Sequence, residues 1–283
     1  MDDGSATATP AGAYQGFVDG TSAVSSAGVG TYAVANITTS VAVAENYAGW
    51  SLVVVYRPAT DPTRNMVVCD GYQRVRSTSL SVDISLSGFT TPPFDTVTSK
   101  LSVVAYDGGK GSTEGTAGLH FGQSIATLAP VFNGLNPQND VFNSTISALG
   151  QNVGTREPNY PNTLGFDADI FSPNTQHPPP TTQLPNGATT AVVQVSSSQE
   201  TIDLGLVTLA TNIFVPNIKD SFIKTVSDIN GGLVLPGDVL EYTISFTNSG
   251  SDPATRTVVV NAAANLATTK TNGISTLTCK AGF

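Results

Sequence analysis

Apolar positions along this chain recur with period two or in short unbroken runs, and almost nowhere with the three-to-four spacing of an amphipathic helix. Gly or Pro interrupts most windows long enough to hold one. The run Trp50–Tyr56 (WSLVVVY) ends at Arg57-Pro58 and predicts a buried strand, with Trp50 packed in the core. Leu80–Leu86 (LSVDISL) alternates apolar and polar residues, as a strand with one wet face does. Leu101–Tyr106, Ala191–Val195 and Leu206–Phe214 predict further strands, and Cys69 closes the apolar run Met66-Val67-Val68-Cys69. Between the runs stand Asp70-Gly71, Asp107-Gly108, Pro185-Asn186-Gly187 and Asn230-Gly231-Gly232, pairs that supply the positive φ angles of tight turns.

Many short strands with regular punctuation predict an all-β fold: a jelly-roll-like β-sandwich followed by a small sandwich. The pattern changes near Val215-Pro216-Asn217, which divides the chain into 16–216 and 217–283. Residues 1–15, rich in Ala, Thr and Gly, read as a flexible segment able to add as a strand to a neighbour. Residues 173–185, with Pro178-Pro179-Pro180, read as an extended loop projecting from the first sandwich.

Composition narrows the function classes. Only 12% of the 283 residues are charged, about half the usual share, so Thr, Ser, Asn, Gln and Gly must cover the surface. That is the habit of secreted β-proteins. Twelve basic residues against 21 acidic ones give a net charge of −9, which argues against nucleic acid and anionic membranes as partners. No apolar run approaches the ~20 residues that span a bilayer, so no membrane insertion is expected. The opening Met-Asp-Asp-Gly-Ser carries no signal peptide. It suits a cytoplasmic protein, or a secreted or cell-surface one whose leader is absent from this chain. The composition favours the second.

Candidate chemistry is sparse. His120 and His177 are the only histidines, and Gly122-Gln123-Ser124-Ile125-Ala126 lacks the second Gly of a nucleophile elbow. No enzyme is expected, and no zinc spacing occurs. Asp167 and Asp169 flank Ala168, so on a strand their carboxylates share one face. They are the candidate metal ligands, for calcium through hard oxygens; capping a loop or bonding turn amides is the favoured alternative. Cys69 and Cys279 could pair with each other, bridge two molecules or stay free. Beyond calcium no cofactor is expected.

The C-terminal segment carries a family pattern. Ile223-Lys224-Thr225-Val226, Leu235-Pro236-Gly237-Asp238, Leu240-Glu241-Tyr242-Thr243-Ile244 and Thr247-Asn248-Ser249-Gly250 resemble the Ig-like conserved repeat found in tandem in bacterial and archaeal surface proteins. Upstream, Tyr47-Ala48-Gly49-Trp50, Asp70-Gly71-Tyr72 and Leu164-Gly165-Phe166-Asp167-Ala168-Asp169 resemble the region that often precedes such repeats. The resemblance implies a surface protein built of β-sandwiches and brings no chemistry with it. Some surface Ig-like domains crosslink a strand Lys to an Asn with the help of a carboxylate. Lys224, Glu241 and Asn261 or Asn265 are the residues that could do so here, against the favoured reading of an exposed Lys beside a solvated Glu. The chain departs from the repeat at Asn261-Ala262-Ala263-Ala264, which suggests an incomplete last domain with an open edge.

The expected function is therefore that of an extracellular structural protein that self-associates, as a fibre or surface layer, through strand complementation. Its partner would be itself or another surface protein. The alternative is an adhesin or carbohydrate-binding module, calcium-stabilised, that recognises glycans through the Pro-rich loop and the Asp167/Asp169 region.

Overall fold

The computed structural model describes residues 6–8, 14–37, 48–56, 64–93, 96–111, 116–174, 184–213, 218, 221–235, 238–248, 257–261, 266–270 and 275–282. The chain divides into two units, Met1–Ile213 and Phe214–Phe283, a few residues ahead of the boundary expected at 216/217.

The first unit holds β1 (Ala6–Ala8), β2 (Tyr14–Gly16), a short helix α1 (Thr21–Ala27), β3 (Arg64–Val75), β4 (Ser81–Ser87), β5 (Ser99–Gly108) and β6 (Ala117–Gly122). It continues with β7 (Ala129–Pro130), β8 (Ile146–Ala148), β9 (Gln151–Asn152), β10 (Gly165–Phe171), β11 (Thr190–Ser197) and β12 (Ile202–Asn212). Six strands form one sheet in the order β3-β12-β5-β10-β8-β9, and four form a second in the order β4-β11-β6-β7. Leu101, Val103, Phe171, Ile202 and Leu209 of the first sheet share one buried cluster with Leu86, Leu119, Phe121, Val193 and Val195 of the second. This is a β-sandwich: each strand turns alternate residues inward, and the two inner faces make the core. Burying each large apolar side chain there stabilises the fold by roughly 1.5–3 kcal/mol.

The strands expected at Leu101–Tyr106 and Ala191–Val195 lie within β5 and β11, β4 covers all of Leu80–Leu86 but its first residue, and β12 covers Leu206–Phe214 as far as Asn212. Three local expectations fail. Asp70-Gly71 does not turn the chain but sits inside β3, at an irregularity of the ladder where Asp70 pairs with Leu206 and Gln73 with Leu204, and β12 continues past it as far as Val75. Trp50–Tyr56 is not a strand, and Trp50 is not in the core: the run is exposed along its length, from 45% at Trp50 to 73% at Tyr56. Just before it, Gly49 packs against the Tyr106–Phe166 aromatic pair, whose ring centroids are 5.4 Å apart. A Cβ at Gly49 would lie 2.8 Å from the Phe166 ring, so only Gly permits that approach. The third is the segment 1–15. Ala6–Ala8 pairs with Tyr14–Gly16 in a hairpin of its own, and the Gln15 amide donates to the carbonyl of Gly205 at 2.8 Å.

Of the Pro-rich loop, residues 175–183 lie outside the described residues; at its base the Asn174 amide donates to the Leu184 carbonyl at 3.2 Å. The second unit holds β13 (Ile223–Asp228), β14 (Val239–Phe246), β15 (Thr257–Asn261), β16 (Leu266–Lys270) and β17 (Ser275–Gly282). β14 runs between β13 and β17, so residues beyond Asn261 do return to the sheet, and β15 pairs with β16. No helix among the described residues is long and apolar enough to cross a membrane.

Candidate functional site

Two features of the first unit stand out: a buried carboxylate pair and an open sheet edge. Strand parity places Asp167 and Asp169 on the inner face of β10, with Phe171, and both are sealed from solvent at 0% and 1% exposure. Their strand neighbours on β5 are Ala105 and Val103, both core residues. Such a site is hostile to charge unless the rest of the chain brings polar partners. The segment 133–147 brings them. Thr145 donates its amide to Asp167 Oδ1 at 3.0 Å, and the amides of Asn143 and Ser144 add to it around a left-handed Ser144 with φ of 58°. β8 pairs in parallel with β10, which sets Ser147 beside Asp169 with its hydroxyl 2.6 Å from Asp169 Oδ1.

Counting protons fixes the state of this network. The Asn136 amide group donates to the Val141 carbonyl at 3.2 Å and to Thr145 Oγ1 at 3.0 Å, so its Oδ1 must accept. That oxygen faces Ser147 Oγ at 3.0 Å. Thr145 Oγ1 in turn donates to Asn143 Oδ1 at 2.9 Å. Ser147 has one proton and two acceptors against it. The conflict disappears when Asp169 is protonated and donates to Ser147, which then donates to Asn136. Burial pushes Asp169 up to about 7; burial, and repulsion from Asp169 whenever that residue is ionised, raises Asp167 well above the usual carboxylate range.

The pair therefore fastens the 133–147 segment to the sheet. Donors are aimed at Oδ1 of both residues, which leaves calcium only the two unpartnered Oδ2 atoms of the carboxylates, where it takes about six to eight oxygens. No group of three His, Cys, Asp or Glu residues among those described could hold a metal ion. Alternation around Ala168 reveals the Asp pair in the sequence. Its partners Asn136, Ser144, Thr145 and Ser147 carry no comparable signal, because parallel pairing of β8 with β10 creates the contacts.

The open edge is β3. Among the described residues it pairs only with β12, and it presents exposed Met66 and Val68 on its outer face. It is anchored firmly: Arg74 makes two hydrogen bonds to Asp203 of β12, Nε to Oδ1 and Nη2 to Oδ2, each 2.6 Å. In the same unit, Trp50, Leu52, Val53, Val54, Val55 and Tyr56 form an exposed segment with no charged residue.

The remaining candidates are scattered. Cys69 is a free thiol on the core side of β3, and burial raises its pKa. Cys279 falls in β17, and its side chain lies outside the described residues. Lys224 pairs with Ile244 and Glu241 with Ser227, so the two project from opposite faces of the β13–β14 ladder. Lys224 Nζ instead stands 4.7 Å from the centre of the Tyr242 ring. Asn261 ends β15, in a different sheet, and Asn265 lies outside the described residues.

No family model matches the chain, and no curated protein matches it. Among solved structures it is similar to a chain in the structure of infectious bursal disease virus Gx strain, at 13% identity and a TM-score of 0.26. That likeness covers 57% of this chain and 37% of the viral chain.

Proposed function

We propose that the protein is an extracellular structural module that polymerises head to tail, with Trp50–Tyr56 of one copy adding as a strand to the β3 edge of the next. The observation that carries this reading is the coexistence, in one unit, of an exposed β-branched apolar segment and a long sheet edge paired on one side among the described residues. A segment of high β propensity without charge or Pro is the kind that completes another sheet. An open, apolar edge is the surface that accepts it. Donor and acceptor are different surfaces, so the contact does not close on itself and generates filaments. The donor is not the N-terminal segment, whose Ala6–Ala8 is already paired within its own chain. The low charge content and the resemblance of the C-terminal segment to surface Ig-like repeats support an extracellular setting.

Sedimentation velocity and electron microscopy of the purified protein test the proposal. The wild type is expected to form filaments that lengthen with concentration. Val54→Asp disables the donor and Val68→Lys disables the acceptor; both positions are exposed, so each variant keeps its thermal stability and stays monomeric. Mixed together, the two variants retain one intact donor and one intact acceptor and stop at dimers. A wild type that stays monomeric at every concentration would sink the proposal, as would filaments from both variants.

A further inference from the structure

A second surface, away from the β3 edge, has the features of a small-molecule site. On the outer face of the four-stranded sheet, strand pairing sets Asp83, Gln194 and His120 in a row across β4, β11 and β6. Ser196 stands opposite Gly118. The Gln194 amide is held by Asp83 Oδ1 at 2.8 Å. Beside this row the chain at 137–141 is pinned along β6: Ala117 N–H donates to the Asn139 carbonyl, and Val141 N–H to the Ala117 carbonyl, each at 3.1 Å. The result is a groove of about 440 Å³ lined by Thr116, Gly118, His120, Gln138, Asn139 and Ser196. That volume lies within the range of ordinary ligand sites.

Two details indicate that the groove is built to be filled. Gly118 is its floor. A Cβ there would lie 3.0 Å from Ser196 Oγ and 3.2 Å from His120 Cε1, so any side chain would crowd the space between the walls. His120 Nδ1 lies 3.8 Å from that same point, buried and without a hydrogen-bond partner. That nitrogen is sealed from water, so a ligand hydroxyl reaches it only if the groove floor shifts to admit it.

The lining chooses the ligand class. It consists of hydroxyls, amides and one imidazole, which burial keeps on the neutral side of its usual titration. Among the described residues no Lys or Arg lines the groove to pair with a phosphate or carboxylate, and its surface is shared about equally between polar and apolar atoms, as the two faces of a sugar ring are. Groups that both donate and accept suit a ligand whose own groups do both. We propose that this groove binds a neutral polyhydroxylated ligand, one or two sugar rings in size, with the exposed part of the His120 ring on its wall. This reading does not depend on polymerisation.

Histidine ¹H–¹³C NMR of the full chain tests it, with glucose, galactose, N-acetylglucosamine and lactose titrated to tens of millimolar, and inorganic phosphate as the anionic control. At least one sugar is expected to shift the His120 resonance saturably and to leave His177 in place. Gly118→Val fills the floor and should weaken that sugar at least about tenfold, a change of about 1.4 kcal/mol. Ser196→Val, which removes a wall hydroxyl, should weaken it as well, and thermal melts check that both variants fold. The inference is overturned if none of the sugars gives a saturable His120 shift, if phosphate alone does, or if folded Gly118→Val binds as the wild type does.

Discussion

At the scale of single residues, the most consequential groups are carboxylates that the fold has taken out of water. Burial pushes Asp169 up to about 7 in the folded chain, from 3.8 for an Asp free in water. A carboxyl whose folded pKa is raised binds more protons folded than unfolded. Its stabilising contribution is fully present below about pH 4 and is lost as pH rises through about 7, a loss on the order of 4 kcal/mol. Asp167 is raised as well and adds to the same slope, while Ser147, Asn136 and Thr145 around Asp169 do not titrate. His120, depressed by burial, works in the opposite direction, since its contribution is lost as pH falls. The comparison that isolates Asp169 is therefore wild type against Asp169→Asn, whose amide can donate where the protonated acid does. Urea unfolding from pH 4 to 8 should show the wild type losing stability relative to this variant as pH rises. Parallel curves would refute the protonated network. The Arg74–Asp203 pair makes a second prediction, because its partners are unequally buried, with side chains 23% and 10% exposed. Arg74→Met strands the more buried carboxylate and should cost about 2–3 kcal/mol, whereas Asp203→Asn leaves a hydrated guanidinium and should cost about 1. Chemical denaturation of both variants checks the order.

At the scale of elements, periodicity located most strands and failed where packing outweighed it. The alternation of Leu80–Leu86 was legible because β4 has one wet face, and the runs in β5, β11 and β12 because β-branched residues fill a sandwich core. Trp50–Tyr56 has the same composition as those core strands and could not be told from them by pattern. What sets it apart is that no described strand pairs with it and its side chains stay exposed, which pattern alone does not announce. Asp70-Gly71 misled for the converse reason: turn chemistry predicts a turn only where no partner strand continues past it, and β12 does. The parity of Asp167 and Asp169 could be read directly, but the groove at His120 could not. It needs β6, β11 and the 137–141 segment together, which no spacing along the chain announces. The exposed segment and the β3 edge make a prediction of their own. If they are donor and acceptor, a synthetic peptide of residues 50–56 should bind the β3 edge, shorten filaments and leave the fold of the monomer unchanged, as read by sedimentation and circular dichroism. It should have no effect on Val68→Lys.

At the scale of the whole molecule, charge and surface chemistry set the conditions under which either activity would be seen. A net charge of −9 on every copy opposes association at long range, although the proposed contact itself carries no charge on the donor side. Screening should therefore promote polymerisation. Raising sodium chloride from about 10 to about 150 mM shortens the Debye length from about 30 to about 8 Å and should speed filament growth and lengthen filaments. A filament held mainly by ion pairs would respond in the opposite sense, so the direction of the salt effect distinguishes apolar strand addition from charge pairing. The groove at His120 offers an internal contrast, because a neutral sugar has no charge to screen. Its affinity, read at the same two salt concentrations by the His120 resonance, should stay within about twofold, a difference of less than about 0.5 kcal/mol. Light scattering and the histidine titration can be run on one preparation. Scattering that falls with salt would remove the polymerisation mechanism while leaving the ligand site standing, and sugar affinity that falls steeply with salt would do the reverse.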